Sequence, residues 1–521
     1  MKHLMILEVS QKQAYIFSSV ELKDNIAHSE HICQVTDPEY FRMIAEREGF
    51  PFFPERSLVY SGGGHTVLEF DSGEEARDFA YLVSRTVKKE FPGIALFIKT
   101  MAYDQEKTPG ENLKELSKKL EEKKAVRQAS FGQGSFGIER IGGDLRKAVE
   151  AGDTVGKAER GKRILWKPRP EPGREGFLWE GELPKRFDQL GNVKNQSSFI
   201  AVVHIDGNSM GKRVEEIRKA NEGKDWDEYK EALKTFSQSV DAQFKCAYWE
   251  MMEQIRLNLE GGVREKLDLP EGCFPVRKII LAGDDVCFVA EGRIGLEAAR
   301  IFIEKLSAKA NCQDGKSYRA CAGVAIVHQK YPFYKAYELS EMLCANAKSF
   351  VASYQEKGGA SVIDWHIEFG ELADSVEELR EAYETRDGKR LELRPYLLSA
   401  DQKVWESERE RRYDRFRQLM VKIQNEQIAY ARGKFKNLRE ALKAGEKEAE
   451  YYLKSNLIHE LALVGYEREI RTDRLFQGEG LERKIFVKTQ DGKERSLYFD
   501  AIELLDAFIP LDGMGADGEE H

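Results

Sequence analysis

Three aspartates stand where apolar strands run out. Lys278–Ala290 reads KIILAGDDVCFVA, two apolar runs (Ile279–Ala282 and Val286–Ala290) around Gly283-Asp284-Asp285. The pattern predicts two buried strands joined by a tight turn, with Gly283 supplying the permissive backbone. Adjacent carboxylates repel and raise each other's pKa unless a cation neutralises them. Mg2+ or Mn2+, hard ions that prefer oxygen ligands, would suit. Taken alone, the tripeptide fits a solvated Asp-rich turn as well. A second run, Phe199–Ile205 (FIAVVHI), ends in Asp206-Gly207-Asn208-Ser209-Met210-Gly211. A strand delivering Asp206 beside the hairpin tip makes a cluster of Asp206, Asp284 and Asp285. These are the expected metal ligands and catalytic set, suited to metal ions gripping a nucleoside triphosphate and an attacking hydroxyl. Gly207, Asn208, Ser209 and Gly211, with Gly283, form the expected phosphate-binding backbone, where N–H groups can approach phosphate oxygens.

Elements must position these groups. The 521 residues are long enough for several domains, and 41% hydrophobic with 33% charged content describes a globular chain. No apolar run approaches the roughly 20 residues of a bilayer span, so no membrane partner is expected. Seven scattered cysteines without a C-x-x-C pair point to free thiols in a reducing cytoplasm. The net charge of −9 argues against bulk electrostatic binding of nucleic acid, though not against local basic patches.

The expected fold is α+β: two ferredoxin-like (βαββαβ) domains plus a C-terminal helical domain. The first, 1–145, contains strand Leu4–Val9, hairpin Leu58–Phe70 with Gly62-Gly63-Gly64 at its tip, helix Glu74–Glu90 and strand Ile94–Tyr103. Residues 146–197 read as an extended Gly/Pro/charge-rich connector whose Trp166, Phe177 and Trp179 pack on something. The second domain, 198–398, holds the Asp-Asp hairpin, helix Asp227–Leu259, helix Ile294–Asn311 and strand Arg319–Val327. Residues 399–510 are helical and 511–521 a flexible tail. The matching order of elements reads as an internal duplication, with Gly63 and Gly64 standing where Asp284 and Asp285 stand, so only the second copy would hold metal. In the helix Tyr331–Phe350, Tyr337, Leu339, Met342 and Leu343 are expected to face the core. Lys348 could reach a triphosphate; a solvated helix-terminal lysine is the plainer reading. His65 reads as an exposed turn residue and His204 as a satisfied strand residue.

The strand end Asp206-Gly-Asn-Ser-Met-Gly, the Ala-Gly-Asp-Asp hairpin, Tyr331-Pro332-Phe333 leading to Ala347-Lys348, Ile363-Asp364-Trp365-His366 and Leu393-Arg394-Pro395-Tyr396 together resemble one class. That class is the large polymerase–cyclase (palm-domain) subunit of type III CRISPR effector complexes, a relative of GGDEF-type cyclases. Residues 1–145 resemble its non-catalytic first palm. The resemblance implies two palms that bind two ATP molecules, carboxylates holding Mg2+ or Mn2+, and cyclic oligoadenylate products. By it Asp206, Asp284 and Asp285 become metal ligands and Lys348 a phosphate neutraliser, with Gly207, Gly211 and Gly283 giving backbone room. The Gly63–Gly64 tip would leave room for the acceptor nucleotide.

The departures from that pattern are specific. The chain begins at the first palm, so no histidine–aspartate nuclease domain is expected, and the family's zinc-binding cysteine cluster has no counterpart. Ala282 replaces the first Gly of Gly-Gly-Asp-Asp, and Asn208 replaces a common second Asp. The expected function is therefore an ATP-consuming, RNA-activated cyclic oligoadenylate synthase in antiviral defence, partnered by guide RNA–protein subunits and target RNA. Two other readings stand beside it: a largely structural subunit that scaffolds a guide-RNA complex, and a stand-alone cyclic-nucleotide synthase.

Overall fold

The computed structural model describes residues 1–126, 164–191, 198–267, 269–353, 359–368, 375–426, 432–456 and 485–511. Residues 512–521 of the expected tail, and 146–163 and 192–197 of the expected connector, lie outside them. Two compact units divide the chain: Met1–Ile16 with Ala27–Pro170 and Gly211–Ser239, and Phe17–Ile26 with Glu171–Met210 and Val240–His521.

The first unit carries strands β1 (His3–Ser10), β2 (Leu58–Gly62), β3 (His65–Phe70) and β4 (Ala95–Ala102), with helix α1 (Gly73–Glu90) before β4 and α2 (Pro109–Ala125) after it. The sheet order is β2-β3-β1-β4, and the pairs around β1 are antiparallel. Helix α2 starts at a full capping box: the Thr108 hydroxyl accepts from Glu111 N–H while Glu111 accepts from Thr108 N–H.

The second unit holds β5 (Phe199–Gly207), the hairpin β6 (Val276–Ala282) and β7 (Asp285–Glu291), helix α4 (Gly295–Ser307), β8 (Ala320–His328), helix α5 (Phe333–Ala352), β9 (Ala360–Ile367) and β10 (Tyr396–Ala400). Between β5 and β6 runs the long helix α3 (Trp226–Asn258). The sheet order is β10-β9-β8-β5-β7-β6. Its part β8-β5-β7-β6 repeats the fourth–first–third–second order of the first unit, the ferredoxin-like arrangement expected. β9 then extends the sheet parallel to β8.

Strand β5 is apolar on both faces because both are covered. Ala201 meets α4 at Gly295, whereas His204, on the other face by alternation, meets Tyr337 of α5. Helix α5 lies close to the sheet. A Cβ on Gly323 of β8 would sit 2.1 Å from the Ser340 carbonyl oxygen and 2.4 Å from Cys344 N. The helix answers with a stripe of small or flat residues, Ala336, Tyr337, Ser340, Leu343, Cys344 and Ala347, all buried. Leu339 is buried as expected; Met342 is only half-buried, because it lies beside that stripe rather than on it.

The connector packs as its aromatics suggested, with Phe177 against Trp249 and Phe274, and Trp179 against Phe274. Residues 399–511 are helical at Tyr413–Glu426, Arg432–Ala444 and Glu446–Ser455, and add a small hairpin, β11 (Phe486–Lys488) and β12 (Glu494–Ser496). Asp500 ties this stretch to the palm, accepting from the backbone N–H groups of Leu393 at 2.8 Å and Arg394 at 3.0 Å. A helix at Met210–Ala220 was not foreseen: its apolar positions are few, Met210, Val214 and Ile217, and of these only Ile217 is buried. Among the described residues no helix is long and apolar enough to cross a membrane.

Gly323→Ala should destabilise the protein by about 1–3 kcal/mol, because the helix backbone rather than a movable side chain blocks the methyl group. Gly211→Ala, where a Cβ meets nothing within 4 Å, should change stability by less than about 1 kcal/mol. Urea denaturation of the two variants checks the contrast; equal midpoints would refute the close-packing argument.

Candidate active site

Strand β5 sets Asp206 opposite Asp285 of β7, and Ala282 closes the β6–β7 turn against Asp285. Gly283 and Asp284 are therefore the two turn residues. Only Gly283 has a positive φ, 63°, which is the demand of a II′ turn and leaves the second position open to a side chain. Asp284 occupies it. Gly207 lets the tip close on β5: a Cβ there would lie 2.9 Å from Asp284 Cβ and 2.7 Å from Met210 Cε. With none in the way, Gly207 N–H donates to the Asp284 carbonyl at 3.2 Å.

Helix α5 lies over the sheet face that bears His204, Asp206 and Asp285. Tyr337, Glu341, Cys344 and Lys348 recur every three or four residues and share one side of the helix. Lys348 Nζ stands 2.6 Å from Asp206 Oδ2 and 3.4 Å from the Gly207 carbonyl oxygen. Tyr337 donates to Glu341 at 2.8 Å, and the His204 ring meets Tyr337 edge-on at 5.7 Å. His204 Nδ1 is 3.7 Å from Asp285 Oδ1. His204 is thus a buried strand residue but not the satisfied one expected: its Nδ1 has no hydrogen-bond partner and faces a carboxylate.

Negative charge is in excess here. Burial, then the neighbouring Asp206 and Asp285 charges, push the Asp284 carboxyl up to about 6, against the opposing pull of Lys348. Burial likewise raises Glu341, with Asp285 adding to it, and lowers the His204 imidazole. Burial works against the charge on Lys348, but the bond to Asp206 outweighs it and the ammonium is strengthened. The Cys321 thiol, pushed up to about 12 by burial, is no nucleophile.

The remaining expected residues divide. The Asn208 side chain donates to the Ala360 carbonyl at 2.8 Å and its N–H to the Arg319 carbonyl at 2.7 Å, so it fastens β5 to β9. Ser209 adopts a left-handed φ of 61° where the strand turns into the next helix, and Gly211 lies in that helix's first turn. Two carboxylates escaped the sequence reading. Glu341 was findable, one helical heptad before Lys348; Asp241 of α3, which accepts from Gly283 N–H at 3.4 Å and pairs with Lys245 at 2.6 Å, carries no local signal.

The first unit repeats the layout with different charge. Gly62 pairs with His65 across its turn as Ala282 pairs with Asp285. The structural correspondence is therefore Gly63 with Gly283, Gly64 with Asp284 and His65 with Asp285, one residue off the alignment expected from sequence. Both Gly63 and Gly64 have positive φ, a I′ turn. Glu8 lies opposite His65 as Asp206 lies opposite Asp285, and Lys124 of α2 reaches Glu8 at 2.8 Å as Lys348 reaches Asp206. Lys12 donates to the Gly63 carbonyl. His65 is half-buried rather than exposed, packing edge-on against Tyr60, and burial lowers its pKa.

Among the described residues no three His, Cys, Asp or Glu side chains converge into a set that could hold a metal ion as they stand. The structure brings Asp206 to Lys348 and Asp284 to the end of β5. The donor chemistry nevertheless fits a hard divalent cation: carboxylate oxygens at a strand end and a hairpin tip, one of them pushed up to about 6 by burial and then by neighbouring negative charge.

Residues 199–353 match the family described as Cas10/Cmr2, second palm domain. That segment is similar to a Cas10 second palm. No curated protein sequence matches the chain significantly. Among solved structures, a chain of a Csm1–Csm4 cassette in complex with cA3 matches at 16% identity and a TM-score of 0.56, covering 98% of this chain and 70% of that one. The cassette in complex with one ATP matches at 15% identity and 0.54, with the same coverage. The apo cassette gives 14%, 0.50, and coverage of 97% and 70%. At these identities the solved structures establish the fold. The motif resemblance to a Cas10-like large subunit of type III CRISPR complexes is borne out.

The raised Asp284 pKa has a stability consequence. Between its ordinary value near 3.8 and about 6, the folded protein holds the proton more tightly than the unfolded chain. Stability from this group therefore falls as pH rises through that window and stays lower above it. In chelator-treated protein, Asp284→Asn should gain melting temperature over wild type on going from about pH 4 to about pH 7. A difference independent of pH would refute the charge argument.

Proposed function

We propose that this Cas10-like chain is a metal-dependent nucleotidyltransferase that converts ATP into cyclic oligoadenylates within a type III CRISPR effector, activated by RNA. The observation that carries the reading is the Asp206–Lys348 pair set beside Asp284, whose carboxyl is pushed up to about 6 by burial and then by the neighbouring negative charges. Solved relatives of this fold are complexes with cA3 and with one ATP, and pair Csm1 with Csm4, which supports ATP as substrate and effector subunits as partners.

In this reading 198–398 is the catalytic palm and 1–145 the non-catalytic one. Asp206, Asp284 and Asp285 are the residues that would hold Mg2+ or Mn2+, which would supply charge neutralisation at the triphosphate and the attacking hydroxyl. The chain's own groups do the rest. Lys348, on an ion pair whose partners are 35% and 37% exposed, contributes no more than about 1 kcal/mol to stability. It can therefore exchange a carboxylate for a phosphate oxygen at little cost. The backbone beside Gly207 and Gly283 admits phosphate oxygens closely. The reaction, attack of a 3′-hydroxyl on an α-phosphate with loss of pyrophosphate, asks for in-line positioning and charge stabilisation rather than a protein base. In the first palm, Lys12 and Lys124 lie near the Gly63–Gly64 tip, where a nucleotide would meet positive charge rather than a carboxylate trio.

Purified protein incubated with ATP and Mg2+ or Mn2+, alone and with its reconstituted RNA complex, should yield a cyclic oligoadenylate by mass spectrometry. Asp284→Ala/Asp285→Ala should abolish it, and Lys348→Ala should slow it about 100-fold, the usual cost of one preorganised charge-stabilising group. Silence of the lone protein and the complex alike would leave the scaffold reading standing. Product from the lone protein without RNA would favour the stand-alone synthase.

A further inference from the structure

A cavity of about 780 Å³ opens in the second unit between the end of α5, the stretch Arg390–Pro395 and the β11–β12 hairpin. Its walls carry Arg380, Arg390, Arg394, Arg411, Lys493 and Arg495. Five carboxylates also line it. Glu377 and Glu381 are solvated at the surface, and the other three are already engaged by arginines. One Glu392 oxygen serves both Arg390 and Arg495 at 3.0 Å, Asp491 takes Arg495 at 2.9 Å, and Glu408 lies 3.3 Å from Arg411. Behind the wall, Arg394 pairs with Glu503 and Arg380 with Asp364, each at 2.6 Å.

Unpartnered donors still outnumber the unpartnered acceptors, Glu392 Oε2 and, behind the wall, Asp500 Oδ1. Arg394 Nε and Nη2, Arg380 Nε and Arg495 Nε have no hydrogen-bond partner, although these side chains are only 1%, 5% and 9% exposed. Burial, and then the like charge of Arg495, weaken the Arg411 guanidinium. Convergent guanidinium groups with unused N–H bonds are the arrangement that recognises phosphate, which they grip as a fork. The volume falls within the roughly 300–1,000 Å³ of small-molecule sites. Phe350 lines the cavity too, with the Arg411 guanidinium 5.1 Å from its ring centroid, and offers an apolar surface for a base.

We propose that this cavity binds the polyphosphate of a nucleotide-sized ligand. The site is separate from the Asp206–Asp284 cluster and does not depend on the catalytic reading. It is nonetheless joined to that cluster by α5: Asn346 and Phe350 line the cavity, while Lys348 between them reaches Asp206.

The test uses the full chain carrying Asp284→Ala/Asp285→Ala, in chelator, so that the palm is silent. Isothermal titration with pyrophosphate, ATP and a 5′-triphosphorylated diadenylate should detect binding by at least one. Arg390→Gln/Lys493→Ala, both at partly exposed positions, should weaken it at least about tenfold, the loss of one charged hydrogen bond. Pyrophosphate binding as well as ATP would mean the phosphates alone are read; tighter ATP or dinucleotide would place a base on Phe350. Both support the site. If the double variant melts early, Arg390→Lys, which keeps the charge but loses the fork, should still weaken binding. No binding of any probe, or binding indifferent to these variants, overturns the proposal.

Discussion

The approach of a hairpin tip to a strand end, carboxylate beside carboxylate, is the constraint to which the second unit is built. Pairing sets Asp206 opposite Asp285, and Asp284 stands at the tip that closes on Gly207, where burial and the neighbouring charges both disfavour its ionised form. The fold supplies the compensation in pieces. Gly207 gives up its side chain so that the hairpin tip can approach. Gly323 gives up its own so that α5 can press onto β8, which carries Lys348 within reach of Asp206. Asp284 is left paying, with a carboxyl that titrates near 6. The second unit thus carries a buried carboxyl with a raised pKa at this tip, in a place that two glycines and one half-exposed ion pair make possible.

The duplicated sheet makes that reading sharper, because the first unit solves the same geometry without the cost. Its strand-end carboxylate, Glu8, also meets a lysine from the helix after the fourth strand. The carboxylate–lysine pair thus belongs to the shared framework. What distinguishes the second unit is the hairpin. A I′ turn needs positive φ at both central residues and takes glycine at both, whereas a II′ turn needs it only at the first. The change of turn type is what makes room for Asp284, and the exchange of His65 for Asp285 turns a near-neutral edge into an acidic one.

Much of this was legible in the sequence because strands and tight turns write themselves locally. The runs LVYSGGGHTVLEF and KIILAGDDVCFVA each show two apolar segments around a glycine, and both are hairpins with β5 or β1 alongside. Tyr337, Leu339 and Leu343 of α5 are buried as expected and Met342 only half so, whereas Lys348 was marked by the family resemblance rather than by any local pattern. The alignment of the two tips slipped by one residue because three consecutive glycines at 62–64 give no register, and only the cross-strand pair Gly62–His65 fixes it. Asp241 and the role of Asn208 were out of reach for a different reason: each acts through a backbone group far along the chain, Gly283 and Ala360.

The arginine-lined cavity and the acidic edge are opposite answers to the same physics. Both place like charges together in a partly dry setting, and both leave part of that charge unspent. In the palm, burial and then the neighbouring carboxylates push the Asp284 carboxyl up to about 6, so that it can shed its charge by protonation. An arginine has no such recourse, since its guanidinium keeps its proton across the physiological range, so Arg394 retains donors without acceptors. Helix α5 touches both regions through residues two apart, Asn346 and Lys348, and the close seating of its backbone on Gly323 makes it rigid against the sheet. A packed element of that kind moves as a unit rather than bending.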